Sequence, residues 1–163
     1  MTDREGMRLA LAEAERAYAQ GEIPIGAVIV ADGIVVGRGY NLRETLPDAT
    51  AHAELIAIRD ACRNLGRWRL GDVTLYVTLE PCPMCAGAIV NARIARLVYG
   101  AFDVKGGGVD SLFNIATHDG LNHRVDVRSG VEETACAELL RRFFRERRAA
   151  RKSTSPIDEP AEK

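Results

Sequence analysis

Leu75-Tyr76-Val77-Thr78-Leu79-Glu80-Pro81-Cys82-Pro83-Met84-Cys85-Ala86-Gly87-Ala88 changes character at Glu80. Residues 73–79 form an apolar, β-branched run that reads as a strand. Pro81-Cys82-Pro83 then opens a helix over residues 81–92, since proline suits a first helical position whose N–H has no intrahelical partner. The Cys82-x-x-Cys85 pair therefore falls at a helix start, where the dipole and free amides favour a thiolate.

On the N-terminal side, residues 6–20 set Leu9, Leu11, Ala12, Ala14 and Ala17 among charges and stop at Gly21, the pattern of an amphipathic helix. Apolar runs at 25–31 and 34–36 flank Asp32-Gly33, which predicts a hairpin. A polar loop over 41–51 follows. Thr50 is the expected cap of a helix over 52–65, with Glu54 in its first turn. On the C-terminal side the pattern predicts a strand at 97–102, a glycine-rich loop at 103–108 and a helical turn at 111–115. A strand at 124–127 and a last helix over 131–149 complete it. Strands alternating with helices after an initial hairpin predict a three-layer α/β/α sandwich around a mixed five-stranded sheet. One domain is expected over residues 1–150. Residues 151–163, polar and containing Pro156 and Pro160, are expected to be a disordered tail.

The 163 residues are 47% apolar, enough for one packed domain. No apolar run approaches the roughly 18–20 residues of a membrane span. The opening MTDREGMRLA lacks the apolar core and cleavage site of a signal peptide, so a cytoplasmic protein is the default expectation. Four cysteines are too few for a disulfide scaffold in a chain of this length, and Cys62 and Cys136, at alanine-rich helical positions, read as small buried apolar groups. The net charge of −1 carries no global signal for nucleic acid, but the last helix is strongly basic. Arg141, Arg145, Arg148 and Lys152 fall at i, i+4, i+7 and i+11, one stripe that suits phosphates, with Phe143 or Phe144 available to stack on an unpaired base. The competing reading is a solvated helix face with Leu139, Leu140, Phe143 and Phe144 in the core.

His52-Ala53-Glu54 and Cys82-x-x-Cys85 together carry the chemistry. One imidazole and two thiolates are three ligands of the kind zinc favours, and three protein ligands leave a fourth tetrahedral position for water. Glu54, at a helix start beside His52, is placed to shuttle a proton. Taken alone, the cysteine pair also fits a redox motif. A structural zinc would want a fourth Cys or His, and neither His118 nor His123 sits in a ligand-like pair. Taken jointly, H-x-E followed by P-C-x-x-C is the signature of zinc deaminases.

Over residues 7–148 the sequence resembles the bacterial tRNA adenosine deaminase family. The resemblance rests on Ile23-Pro24-Ile25-Gly26-Ala27, Thr50-Ala51-His52-Ala53-Glu54 and the segment from Leu75 to Ala88. It continues in Asp103-Val104-Lys105-Gly106-Gly107, Ser111-Leu112-Phe113, Leu121-Asn122-His123-Arg124-Val125 and Phe143-Phe144-Arg145. Asp110 departs from the pattern, which has glycine or another small residue before Ser-Leu. The resemblance implies a cytidine-deaminase-like fold, one zinc per subunit, a homodimer, and conversion of the wobble adenosine of a tRNA anticodon to inosine. It implies that His52, Cys82 and Cys85 hold the metal and that Glu54 is catalytic. It further implies that Ile25, Gly26, Ala27 and Asn41 hold the purine, and that Arg43, Asp103, Lys105, Asn122, Phe144, Arg145 and Arg148 meet the anticodon loop. Two rivals stay open: a deaminase of free guanine or cytidine, and a noncatalytic RNA-binding subunit with structural zinc.

Overall fold

The computed structural model describes residues 1–154. Helix α1 (Asp3–Ala19) precedes a hairpin of β1 (Gly26–Ala31) and β2 (Ile34–Tyr40). Then come α2 (Ala53–Leu65), β3 (Val73–Leu79), α3 (Pro83–Asn91) and β4 (Arg96–Ala101). A 3-10 turn (Ile115–Thr117), the short β5 (Asp126–Arg128) and α4 (Glu133–Thr154) complete the chain.

The sheet order is β2-β1-β3-β4-β5. β1 runs antiparallel to β2 and β3, and β3, β4 and β5 run parallel, so the sheet is mixed as its sequence pattern predicts. The hairpin turns on Asp32 and Gly33, both at positive φ (48° and 76°), the twist that matches flanking strands in a type I′ turn. Alternation along the strands sorts the core into two layers. Ala27, Ile29, Leu75, Val77, Leu97 and Tyr99 pack with Ala53, Ala57 and Ala61 of α2 and Ala86 and Ile89 of α3. Val28, Val30, Tyr76 and Val98 face Met7 and Ala10 of α1 and Cys136 of α4. Helices thus cover both faces, α2 and α3 on one and α1 and α4 on the other.

Several local expectations shift. α1 begins three residues earlier than its apolar periodicity implies, because Thr2 and Glu5 form a capping box. The Thr2 hydroxyl accepts from the Glu5 amide (3.2 Å), and the Thr2 amide donates to the Glu5 carboxylate (2.7 Å). Thr50 does not cap α2. Its amide and hydroxyl both donate to Asp48 (2.8 and 2.7 Å), and His52 stands at the N-cap with its ring turned elsewhere. The turn expected at 111–115 forms at Ile115–Thr117, since Ser111 is drawn to Glu80. β5 starts two residues later than expected and ends one later. α4 runs to Thr154, so residues 151–154 of the expected tail continue the helix, and residues 155–163 lie outside the described residues.

Candidate active site

His52 is the N-cap of α2 and Cys82 the N-cap of α3, with Cys85 on the first turn of the same helix. The two helix starts meet above the C-terminal end of β3. Neither cap residue makes a side-chain cap bond, so both side chains are free to converge. His52 Nδ1 lies 3.7 Å from Cys82 Sγ and 3.5 Å from Cys85 Sγ. All three donor atoms lie within 4.8 Å of one another. Tetrahedral zinc with ordinary Zn–S and Zn–N bonds sets sulfur and nitrogen about 3.6 Å apart, so the donor set fits that ion. The hydrogen bond from Cys85, and the His52 ring after it, pull the Cys82 thiol down to about 4, deep into the thiolate range, while Cys85, as donor, is held up.

Glu54, in the first turn of α2, is 4% exposed. Burial pushes its carboxyl up to about 7, and the negative Cys82 adds to the effect. A carboxyl held there exchanges protons near neutral pH, as a general acid–base requires.

His52, Glu54 and Cys82 lie in the wall of a cleft of about 600 Å³. Ile25, Asn41, Arg43, Asp103, Lys105 and Phe144 line it with them. Asn41 is fixed locally: its side chain donates to the Ile23 carbonyl and accepts from the Arg43 amide (3.2 Å each). Asp103 closes its own turn, accepting from the amides of Lys105 (3.2 Å) and Gly106 (3.0 Å). Behind Arg43, Glu22 accepts from the amide and hydroxyl of Thr45 (2.6 and 2.8 Å), bonds that tie down the loop after β2.

Five of the residues expected to meet the substrate lie away from the cleft lining. A side chain at Gly26 would strike the backbone of α1 at Ala10 and Ala14, so this glycine serves the β1–α1 contact. Ala27 points into the opposite core layer. Asn122 accepts from the Arg93 guanidinium (2.7 Å). Arg145 and Arg148 are exposed on α4 beyond the lining residues. Conversely, Ile23, Leu79, Glu80, Phe102, Val104 and Leu140 line the cleft without having been singled out. Only Glu80 carried a usable signal, as a lone acid between an apolar strand and the Pro-Cys-Pro turn.

A sandwich fold with a His-Cys-Cys cluster and a buried glutamate in one cleft is the arrangement of a nucleobase deaminase, and residues 1–148 match the MafB19-like deaminase family. Within that class the chain belongs to the tRNA-specific adenosine deaminase family. It is 50% identical over 153 residues to the tRNA-specific adenosine deaminase of Bacillus subtilis (strain 168), covering 91% of this chain and 95% of that one. A solved structure from work on A-to-I editing by tRNA:A34 deaminases at the wobble position of transfer RNA superposes with a TM-score of 0.80. It is 51% identical and covers 83% of this chain and 98% of its own. Guanine deaminase from Bacillus subtilis is similar over a smaller share, with 44% identity, a TM-score of 0.60, and 63% and 66% of the two chains covered.

Proposed function

We propose that the protein hydrolyses the wobble adenosine, position 34 of a tRNA anticodon, to inosine and releases ammonia. The observation that carries this reading is a buried Glu54 beside the His52–Cys82–Cys85 cluster, in the wall of a cleft large enough for a purine. His52, Cys82 and Cys85 would hold one zinc per chain, and zinc bound there would activate water as a nucleophile near neutral pH. Glu54 accepts the proton of the attacking water and delivers it to N1 of the ring, beside C6, where the new C–O bond forms. It then takes the proton of the new C6 hydroxyl and passes it to the amino group as the C6–N bond breaks, so that C6=O forms and ammonia leaves. Asn41 and Ile25 flank the purine, while Gly26 and Ala27 support that wall from behind. The base must leave its stack to reach these groups, so an unpaired loop is the favoured substrate. Arg43, Asp103, Lys105 and Phe144, which line the cleft, are assigned to that loop, with Asn122, Arg145 and Arg148 further out.

The reading includes a homodimer, for which exposed Leu112, Phe113 and Leu121 offer apolar surface, and a cytoplasmic location. Among the described residues no helix is long and apolar enough to cross a membrane.

The test is to sequence tRNA after incubation with the pure protein, with Glu54→Ala as the control, and to assay free guanine, cytidine and adenosine in parallel. Adenosine-to-inosine conversion at position 34 supports the reading. Turnover of free guanine without change in tRNA would replace it with the small-molecule reading that the guanine deaminase likeness suggests. No ammonia from any substrate would leave a noncatalytic RNA-binding role.

A further inference from the structure

Glu80 is a buried acid at the cleft that the proton transfers above do not use. It follows the last residue of β3 and is 2% exposed. One carboxylate oxygen accepts from the amides of Val109 (3.3 Å), Asp110 (2.8 Å) and Ser111 (2.8 Å). The other accepts from the Asp103 amide (3.0 Å) and from the Ser111 hydroxyl. All five donors belong to the loop after β4, which wraps around a single anion.

The glycines of that loop fit the same arrangement. A side chain at Gly107 would overlap the Glu80 carboxylate. One at Gly108 would lie 2.7 Å from Pro83 N and 2.8 Å from the Cys82 carbonyl carbon. The Gly108 amide donates to Pro81 O at 2.7 Å. The loop is therefore pressed onto the turn that carries the Cys82 thiol. Its outer arm supplies Phe102, Val104 and Lys105 to the cleft, with Phe102 edge-on to Tyr99 at 5.3 Å. Glu54, His52 and the two cysteines sit on other elements.

We propose that Glu80 is a positioning residue for substrate recognition: it anchors the 102–111 loop so that Phe102, Val104 and Lys105 form the wall against which the nucleotides beside the target base are held. The proposal rests on the tRNA reading. It places the effect of Glu80 in substrate binding and leaves the proton transfers to Glu54.

The experiment compares wild type, Glu80→Gln and Ser111→Ala. Glutamine keeps the shape but turns an NH2 toward donors, so one side of the anchor is lost. Ser111→Ala removes one donor without touching the ligand turn. Hydrogen exchange at the amides of Asp103, Val109, Asp110 and Ser111 is measured on the protein alone, and KM, kcat and metal content are measured with an anticodon stem-loop. In Glu80→Gln these amides should exchange about tenfold faster and KM should rise about tenfold, with kcat within about twofold and metal retained. Ser111→Ala should move KM the same way by about threefold, and it keeps the test decisive if Glu80→Gln fails to fold. Unchanged exchange would overturn the anchor. Faster exchange with unchanged KM would overturn the recognition wall. Loss of metal with a fall in kcat would mean that Glu80 supports the ligand turn instead. Failure of wild type to deaminate the stem-loop would refute the tRNA reading, while the exchange arm would still decide the anchor.

Discussion

Tyr99 is fully buried in β4, and its hydroxyl donates to the carboxylate of Asp110. Asp110 is the position where the sequence departs from the small residue that its resemblance leads one to expect. The departure is thus coupled to a second residue: a phenol inside the sheet brings its acceptor from the loop. A buried hydroxyl that loses its partner costs about 1–3 kcal/mol, whereas removing both partners is nearly neutral. Ser129 also hydrogen-bonds the Tyr99 hydroxyl, so Asp110→Gly should destabilise by at most about that amount, and Tyr99→Phe in the same chain should recover part of it. Urea unfolding of the two single variants and the double variant measures the coupling. Strict additivity would show that the two residues act independently.

Among the elements, the ends of α1 and the faces of α4 are set by charge. The Asp3 carboxylate, in the first turn of α1, receives Arg96 from β4 (2.6 and 2.9 Å) and Arg128 from β5 (2.9 Å). The hydrogen bond from Arg96 holds Asp3 below its ordinary value of 3.8. A carboxylate depressed in the folded state contributes stability above its unfolded value and loses it as pH falls through the folded one. Asp3→Asn should therefore lower Tm at neutral pH. The gap to wild type should close as pH drops below 3.8, followed by thermal melts across pH 2–7. A gap that persists at the acid end would assign the effect to packing. On α4, Arg141 and Arg145 share Glu138 (3.0 and 4.0 Å), and Arg142 pairs with Glu15 of α1 (3.2 Å). Leu140, Phe144 and Arg148 lie at i, i+4 and i+8, one face, and the first two line the cleft. The single basic stripe read from spacing is therefore divided. Arg148→Ala should weaken stem-loop binding by about tenfold and flatten the salt slope by about one, whereas Arg145→Ala should do less. Equal effects in a salt titration would mean a diffuse basic surface rather than a directed contact.

For the whole molecule, the ligand cluster ties α2 to α3 across the end of the sheet. Any ion bound there stabilises the folded state by linkage, because the unfolded chain lacks the site. Cys85 is fully buried at this junction. Cys85→Ser should lose the metal by elemental analysis and lower Tm, and a strong chelator should lower wild-type Tm toward the same value. Full metal occupancy in the variant would show that the three-ligand assignment is wrong.

The sequence by itself determined the element types and the mixed sandwich, and it picked out His52, Glu54, Cys82 and Cys85 as the candidate cluster, because these are short-range facts: period, turn chemistry and motif spacing. Asp32-Gly33 carries its hairpin in two residues, and Pro83 its helix start in one. The start of α1 was equally legible as Thr2-x-x-Glu5, although periodicity alone sets it at residue 6. What only the tertiary structure decided is which distant groups meet. Glu80 and its donors, up to 31 positions away, form one anchor only when the loop after β4 closes over β3. Asn122 is engaged by Arg93, Gly26 by α1, and Arg145 by Glu138. A buried polar atom must find a partner wherever the folded chain provides one, and that choice is made by three-dimensional proximity, which local pattern does not encode.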